Sequence, residues 1–469
     1  MPRPDTNLGL LGGAQGVPVD VAEFIDATRF GRVHAMVTAL CAFVALLDGY
    51  DTLAIAYAAP AIAEQWAMDA SLFGPIFAAH GVGGIIGGVL IGAFADRKGR
   101  RVALCAATVL FGLGALATAL ATSFTQLLIC RLLIGAGLAG ALVNAISLVA
   151  EYSPLRFRTS VVSAMFSAFP LGGVVGGAVS AQMIQAWGWP SLFWVGGALP
   201  IALACLLAIL LPESVKFLVA ARSGPRRIAQ VLNRLAGRRA FRGNETFTVT
   251  REAQATRSVR AIFAARHALN TVLLWIAFAI NQVALTFAIT WMPLTLHRAG
   301  IPLGRAAMAS TLYTLAGIVG AITFARLADR VKSAWPVGWA YLLSALALGA
   351  IGWMASTMWL LFAIVSVAGF FMVGVAVNLN PIAASVYPTA IRSTGVGWSL
   401  ALKSVGGIAG ALAGSALVSS NLSVALLYSI AAIPVVVGAA SLGLLVKRTT
   451  ASGPRFADLR IAMPPGGLQ

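Results

Sequence analysis

Apolar residues in this chain gather into runs of about 20 or more, separated by short polar segments. A run of that length crosses roughly 30 Å of hydrocarbon as an α-helix. Helices also satisfy their backbone polar groups within each span, as lipid requires. The runs predict spans at Val33–Ala58, Leu72–Ala95, Val102–Thr122, Gln126–Ala150, Thr159–Ala186 and Ser191–Leu211. Six more follow at His267–Leu294, Arg305–Leu327, Trp335–Ser356, Met358–Val386, Ser393–Ser419 and Val424–Leu445. The short alternating segments of a membrane barrel are absent. The expected fold is an all-α integral membrane protein of about twelve helices.

Between the sixth and seventh runs lies a long polar stretch, Pro212 to Arg266, rich in arginine. It divides the chain into a tail (1–32), a six-helix bundle (33–211), a central loop (212–266), a second six-helix bundle (267–446) and a second tail (447–469). Residues 1–20 read as a flexible tail. Basic residues fill one set of loops: Arg97, Lys98, Arg100 and Arg101; Arg156 and Arg158; the central stretch; Arg330 and Lys332; and Arg392. The alternate loops carry almost none beyond Arg298 and Arg305. This asymmetry places both termini and the central loop on the cytoplasmic side.

Composition agrees with the pattern. Only 10% of the 469 residues are charged, and mean hydropathy is +0.88; a soluble chain carries roughly a quarter charged residues. The net charge of +18 follows membrane topology, so nucleic acid is not an expected partner. No signal-peptide pattern opens the chain. Cys41, Cys105, Cys130 and Cys205 lie inside apolar runs without metal-ligand spacing, and read as small buried hydrophobes. No metal, cofactor or phosphate-cradling loop is expected, and no catalytic set marks an enzyme.

The two halves repeat. Ala95-Asp96-Arg97 returns as Ala328-Asp329-Arg330, and Tyr152-Ser153-Pro154 with Arg156 returns as Tyr387-Pro388-Thr389 with Arg392. Duplicated six-helix halves are a mark of secondary transporters, which bind substrate near the midplane at the repeat interface. The loop Gly92-Ala93-Phe94-Ala95-Asp96-Arg97-Lys98-Gly99-Arg100-Arg101 resembles the signature of the major facilitator superfamily. Within it, the chain is similar to the aromatic acid:proton symporters. The carrying residues are Leu47-Asp48-Gly49-Tyr50-Asp51, Ala150-Glu151-Tyr152-Ser153-Pro154, Pro212-Glu213-Ser214-Val215-Lys216-Phe217-Leu218, and the segment from Tyr387 to Trp398. The resemblance implies a monomeric carrier in a bacterial inner membrane. It would import a small aromatic carboxylate such as 4-hydroxybenzoate, protocatechuate or benzoate together with protons. Transport of another organic anion, efflux by proton exchange, and sensing of aromatic acids without transport are the competing readings.

Asp48 and Asp51 lie three residues apart on one helix face, roughly 22 Å into the first span for Asp48. A bare carboxylate at such depth costs at least about 2.5–3.5 kcal/mol. The pair is the foremost candidate for proton coupling, against a structural pair bonded to helix ends or facing water. Arg131 either pairs with these aspartates or snorkels to the interface, and Glu151 is expected to gate with Arg100, Arg158 or a helix end. The resemblance implies that both positions matter for transport. Lys403 lies roughly 16 Å into the eleventh span with no acid nearby in sequence. It is a candidate for the substrate carboxylate, or for a pair with an aspartate across the halves. A member of the resembling family carries arginine there, and lysine binds as a point charge instead of a fork. His80, Asn144, Asn281, Gln282, Tyr313, Asn378, Asn380 and Trp398 are candidates for contacts with the ring and its hydroxyls, although polar residues in spans often only bridge helices.

Asp96, Arg97, Arg100, Arg101, Asp329, Arg330 and Arg392 form a candidate cytoplasmic latch, paired in one state and separated in the other. Glycines at 84, 88 and 92, at 406, 410 and 414, and at 172 and 176 are spaced to let helices approach closely. The resemblance implies that they pair the second span with the eleventh and the fifth with the eighth.

Overall fold

The computed structural model describes residues 18–249, 262–263, 268–331, 333–387, 391–420 and 422–451. It is helical almost throughout. A short strand, β1 (Val19–Asp20), leads into α1 (Val21–Ala27). The first half continues with α2 (Arg32–Gln65), α3 (Phe73–Lys98), α4 (Arg100–Ala119) and α5 (Phe124–Tyr152). Then come α6 (Leu155–Phe166), α7 (Ala168–Trp187) and α8 (Pro190–Leu210). The central segment holds α9 (Val215–Ala220), α10 (Pro225–Ala236) and β2 (Phe247–Thr248). The second half comprises α11 (Ala268–Arg298), α12 (Leu303–Val331), α13 (Trp335–Ala350), α14 (Met358–Val386), α15 (Arg392–Ser419) and α16 (Val424–Ala451). Among the described residues eleven helices are long and apolar enough to cross a membrane, and α13 is a shorter apolar helix.

The fifth span is not one continuous helix. It breaks between α6 and α7 at Ser167, three residues before Pro170. Proline has no N–H to give the carbonyl four residues back, and its ring crowds that turn. The first span runs seven residues further than expected, to Gln65. The ninth ends early at Ala350 and finishes in a short 3₁₀ turn.

The chain forms two compact units. One contains residues 1–52, 82–173 and 190–253; the other contains 53–81, 174–189 and 254–469. In the first, α4 packs on α5 and α8 around Leu104, Phe111, Ile134, Leu138 and Leu207. Its closest helix crossings are built on glycine. A methyl group at Gly49 would sit 1.8 Å from the Phe169 carbonyl oxygen, and one at Gly172 1.8 Å from that of Leu46. Gly83 and Gly87 do the same for α3 against α5, where a Cβ would meet the carbonyls of Leu132 and Ala136 at 2.0 and 2.1 Å. The sequence spacing pointed instead to 84, 88 and 92. Gly84 meets α5 only at van der Waals distance, while Gly88 and Gly92 have nothing within 4 Å. The stripe of close approach is thus rotated by one residue.

The N-terminal segment and the central segment fold together in this unit. Val19–Asp20 pair in parallel with Phe247–Thr248. Phe24 packs edge-on against Phe241, which packs against Phe247. The apolar face of α10 (Ile228, Ala229, Leu232, Leu235) is buried, and its arginines are exposed. The tail expected to be flexible therefore has packed structure from residue 18 onward; residues 1–17 lie outside the described residues, as do 250–261 and 264–266 of the central loop and His267, the expected start of the seventh span.

In the second unit α11 packs on α15, α12 on α14, and α13 on α16. Gly406 and Gly410 let α15 approach α11, where a Cβ would lie 2.5 Å and 2.4 Å from the carbonyls of Ala279 and Val283. These glycines serve the seventh span. The contact of the second span with the eleventh runs through Gly74 and Gly81 against Ser415 and Ile408.

Candidate functional site

Three polar clusters stand out in this apolar protein. The first lies in the first unit. Asp51 is 1% exposed and Arg131 0%. The guanidinium donates to both carboxylate oxygens, Nη1 to Oδ2 at 3.1 Å and Nη2 to Oδ1 at 3.4 Å. Nη2 also reaches Thr118 Oγ1 at 3.5 Å, and the Phe193 ring lies 5.2 Å from the guanidinium carbon. The two-point fork fixes orientation as well as charge. Arg131 does not run to the interface. Asp48, one turn earlier on α2, is also buried, yet among the described residues its hydrogen-bond partner is a hydroxyl, Thr52 Oγ1 at 3.3 Å. One aspartate of the pair is thus neutralised by a cation and the other is not. Tyr50, between them, donates to the Leu192 carbonyl at 2.9 Å and ties α2 to α8.

The second cluster sits where the end of α3, the start of α4 and the end of α5 come together. Arg100 Nε lies 2.8 Å from Glu151 Oε1 and its Nη1 3.6 Å from Asp96. Glu151 also accepts from the Ser214 hydroxyl. Glu213 closes the cluster: its carboxylate accepts from the backbone N–H of Arg101 at 3.0 Å and of Ser214 at 2.9 Å, and its carbonyl accepts from Tyr152 at 2.7 Å. Gly99 turns the chain here with φ +102°, and a Cβ would strike the Glu213 carboxylate. Sequence reading assigned Glu213 no role. Its signal was an acid within the Pro-Glu-Ser segment opening the central loop, opposite the unsatisfied N–H groups at the start of α4. Arg101 turns its side chain to the Ala208 carbonyl. Arg97 and Arg330 are exposed, and Arg392 reaches its own Tyr387 carbonyl at 3.4 Å. The side chain of Asp329, the segment 388–390 and the side chain of Ser393 lie outside the described residues.

The third cluster lies along α11 and α15 in the second unit. Lys403 is half-buried, and no hydrogen bond or ion pair reaches it among the described residues. It stands one turn before Gly407, whose missing side chain leaves room beside Gln282 (Cγ 3.7 Å from an added Cβ). Gln282 Nε2 donates to Thr286 at 3.2 Å, while its buried Oε1 has no partner in the structure. Trp398, 42% exposed, stacks on Trp275 with ring centroids 6.1 Å apart. Outside this cluster, on α12, Tyr313 is buried with no hydrogen-bond partner for its hydroxyl among the described residues, and on α14 the buried Asn380 Oδ1 likewise has none while its Nδ2 donates to Val377.

Other candidates are bound into the scaffold. Asn378 donates to the Gly374 carbonyl of its own helix at 2.8 Å and to Ala321 of α12 at 3.1 Å. Asn144 donates to Gly140 at 2.8 Å within α5. Asn281 faces the Met372 sulfur at 3.4 Å. His80 is half-buried on α3. Among the described residues no group of three or more His, Cys, Asp or Glu side chains is placed to hold a metal.

Residues 40–308 and 274–462 match the family model of the Major Facilitator Superfamily. The chain is 35% identical over 418 residues to the gallate transporter of Pseudomonas putida, covering 89% of this chain and 93% of that protein. It is likewise 35% identical to the 4-hydroxybenzoate transporter PcaK of Pseudomonas putida, covering 86% and 90%. Among solved structures, the inward open xylose transporter XylE from E. coli superposes with a TM-score of 0.68 at 18% identity, covering 91% of this chain and 99% of that one. A bacterial homolog of the human lysosomal transporter Spinster, inward-facing and unoccupied, gives 0.68 at 15% identity, covering 88% and 96%. These structural likenesses are of fold, and the sequence relatives carry the family. The chain is a multi-pass membrane protein and belongs to the major facilitator superfamily.

Proposed function

We propose that this protein is a proton-coupled importer of small aromatic carboxylates such as 4-hydroxybenzoate, gallate or protocatechuate, working by alternating access as a monomer in the bacterial inner membrane. Both termini and the central loop face the cytoplasm, where the basic loops gather, and the transporter is organised as two six-helix halves, 33–211 and 267–446, joined by the loop 212–266. It carries out no covalent chemistry.

The observation that carries the reading is the asymmetry of the acid cluster. Asp51 has Arg131 as its counter-ion, whereas Asp48 is buried beside a hydroxyl. A proton is what remains to neutralise Asp48. Proton binding there removes the charge that opposes occlusion, and its release to the cytoplasm resets the site. In the second unit Lys403 offers an uncommitted cation for the substrate carboxylate. Gln282 Oε1 and the Tyr313 hydroxyl offer hydrogen bonds for ring hydroxyls, and Trp398 an aromatic face. Names of the sequence relatives support the substrate class: gallate and 4-hydroxybenzoate are both hydroxylated benzoic acids. The Glu151–Arg100–Asp96 cluster acts as the cytoplasmic latch, with Asp329, Arg330 and Arg392 as its counterpart.

A benzoic-type acid is ionised at neutral pH. One anion with one proton moves no net charge, so the pH gradient alone drives it. A second proton would add the membrane potential, about 2.3 kcal/mol per 100 mV. Uptake of labelled 4-hydroxybenzoate by cells expressing the protein tests the proposal. Accumulation that collapses with a protonophore is expected; no accumulation by folded, membrane-inserted protein would move the reading to another carboxylate, to efflux or to sensing.

A further inference from the structure

The ends of α2 and α11 in the second unit carry a polar pair outside the clusters described above. His297, next to last in α11, places Nε2 2.8 Å from Oε1 of Glu64, next to last in α2. Its other ring nitrogen, Nδ1, lies 3.0 Å from the Ile301 carbonyl oxygen. A carbonyl and a carboxylate oxygen both accept. A neutral imidazole carries a single N–H and can serve only one of them. Both contacts are satisfied together when the pair holds one further proton. Imidazole is the more basic of the two groups, so the inference places that proton on the ring.

We infer that His297 and Glu64 form a second proton-binding site, at the periplasmic end of the protein and separate from the aspartates of the first unit, and that it is filled when the ends of α2 and α11 are joined. The periplasmic placement rests on the orientation given in the proposed function. Both side chains keep contact with solvent, at 28% and 70% exposure, so protons reach the site from the outside.

The pair belongs to a ring of contacts that holds this end together. Ser415 donates to the Ser71 carbonyl at 2.5 Å, and Trp189 donates to Gln65 at 2.7 Å while meeting Trp66 edge-on. The charged groups at this end are Glu64, Asp69 and Arg298, which reaches the Val418 carbonyl at 3.3 Å. Hydrogen bonds from Ser71, with Arg298 adding to them, hold the Asp69 carboxyl below its usual pKa, so that charge is present at neutral pH. Arg305 stands near the start of α12, and the outer turns of α15 from Ala411 to Ser420 carry no charge.

The linkage has a definite sign. The joined arrangement binds the proton and the separated one gives it up, so external acid favours joining and external alkali favours separation. Exposed pairs are weak, so the site tunes the outer end by a few-fold and does not lock it.

The test uses histidine itself. The chain has four histidines, His34, His80, His267 and His297. In the full-length protein labelled with ¹⁵N-histidine in lipid nanodiscs, without substrate, the signal missing from H297Q identifies His297. Through a pH titration that ring should keep its second N–H to higher pH in the unsubstituted protein than in Glu64→Gln, whose amide can donate to Nε2. Persistence of the other histidine signals shows that each variant is folded. Loss of the second N–H at the same pH in the unsubstituted protein and in Glu64→Gln would overturn the inference. Neither result depends on which substrate is carried or on whether uptake is seen, so failure of the transport reading is a separate outcome.

Discussion

Arg131 and Lys403 are both cations inside apolar helices, and the protein treats them in opposite ways. Arg131 is fully buried and held by Asp51 through two hydrogen bonds, with Thr118 and Phe193 around it. Lys403 is half-buried, and no acid or hydrogen-bond acceptor reaches it among the described residues. A guanidinium is planar and suits a fixed fork; an ammonium is a movable point charge. The first region holds a buried ion pair, and the second holds the cation that the proposed function assigns to the substrate carboxylate. The same contrast holds between the aspartates, since Asp51 is committed and Asp48 is not.

The largest expected effect comes from breaking the committed pair. Arg131→Ala leaves the Asp51 carboxylate buried without its cation. It should destabilise the protein by about 3–5 kcal/mol and abolish uptake. Replacing both partners with apolar residues, Asp51→Leu with Arg131→Met, should restore the thermal unfolding temperature without restoring accumulation. If the double variant stays as unstable as Arg131→Ala, the pair is not the isolated unit described here.

Next comes the uncommitted acid. Asp48→Asn should leave thermal stability nearly unchanged, because it breaks no ion pair, yet remove proton-driven accumulation. A loss of stability as large as that of Arg131→Ala would show that Asp48 has an ionic role in the fold. Lys403→Ala should raise the KM for 4-hydroxybenzoate about tenfold, equivalent to about 1.4 kcal/mol, with Lys403→Arg recovering part of it. An unchanged KM in Lys403→Ala would remove this residue from the substrate site.

The smallest effect belongs to the scaffold. Asn378→Ala loses the hydrogen bond from α14 to Ala321 of α12 and should cost about 1 kcal/mol, measured by thermal unfolding, with KM unchanged. A selective rise in KM would place Asn378 at the substrate instead.

The spans were legible because run length is a physical requirement of the bilayer, and α14 begins and ends where the hydropathy pattern places it. The clusters were legible as residue types, since charges inside apolar runs stand out. Their pairings were not. Asp48 and Asp51 share one helix face, and only the packing of α5 against α2 decides which of them meets Arg131. Asn378 and Gln282 look alike in sequence; the first is consumed by two carbonyls, and the second keeps a free oxygen. Gly84, Gly88 and Gly92 were expected to pair the second span with the eleventh; the close approach of α3 to α5 through Gly83 and Gly87 was not foreseen, because spacing of four occurs at both 83/87 and 84/88 and nothing local says which row meets a neighbour. The Glu64–His297 pair joins helix ends 233 residues apart in sequence, which local pattern cannot reveal.

The most direct test of the central claim, that Asp48 carries the coupling proton, compares two modes of transport in proteoliposomes. Purified wild-type and Asp48→Asn proteins would be given labelled 4-hydroxybenzoate under an imposed pH gradient, and separately under substrate counterflow without a gradient. The account predicts that wild type performs both, and that Asp48→Asn exchanges substrate but no longer concentrates it. Concentration of substrate by Asp48→Asn under the pH gradient, at the wild-type level, would contradict it.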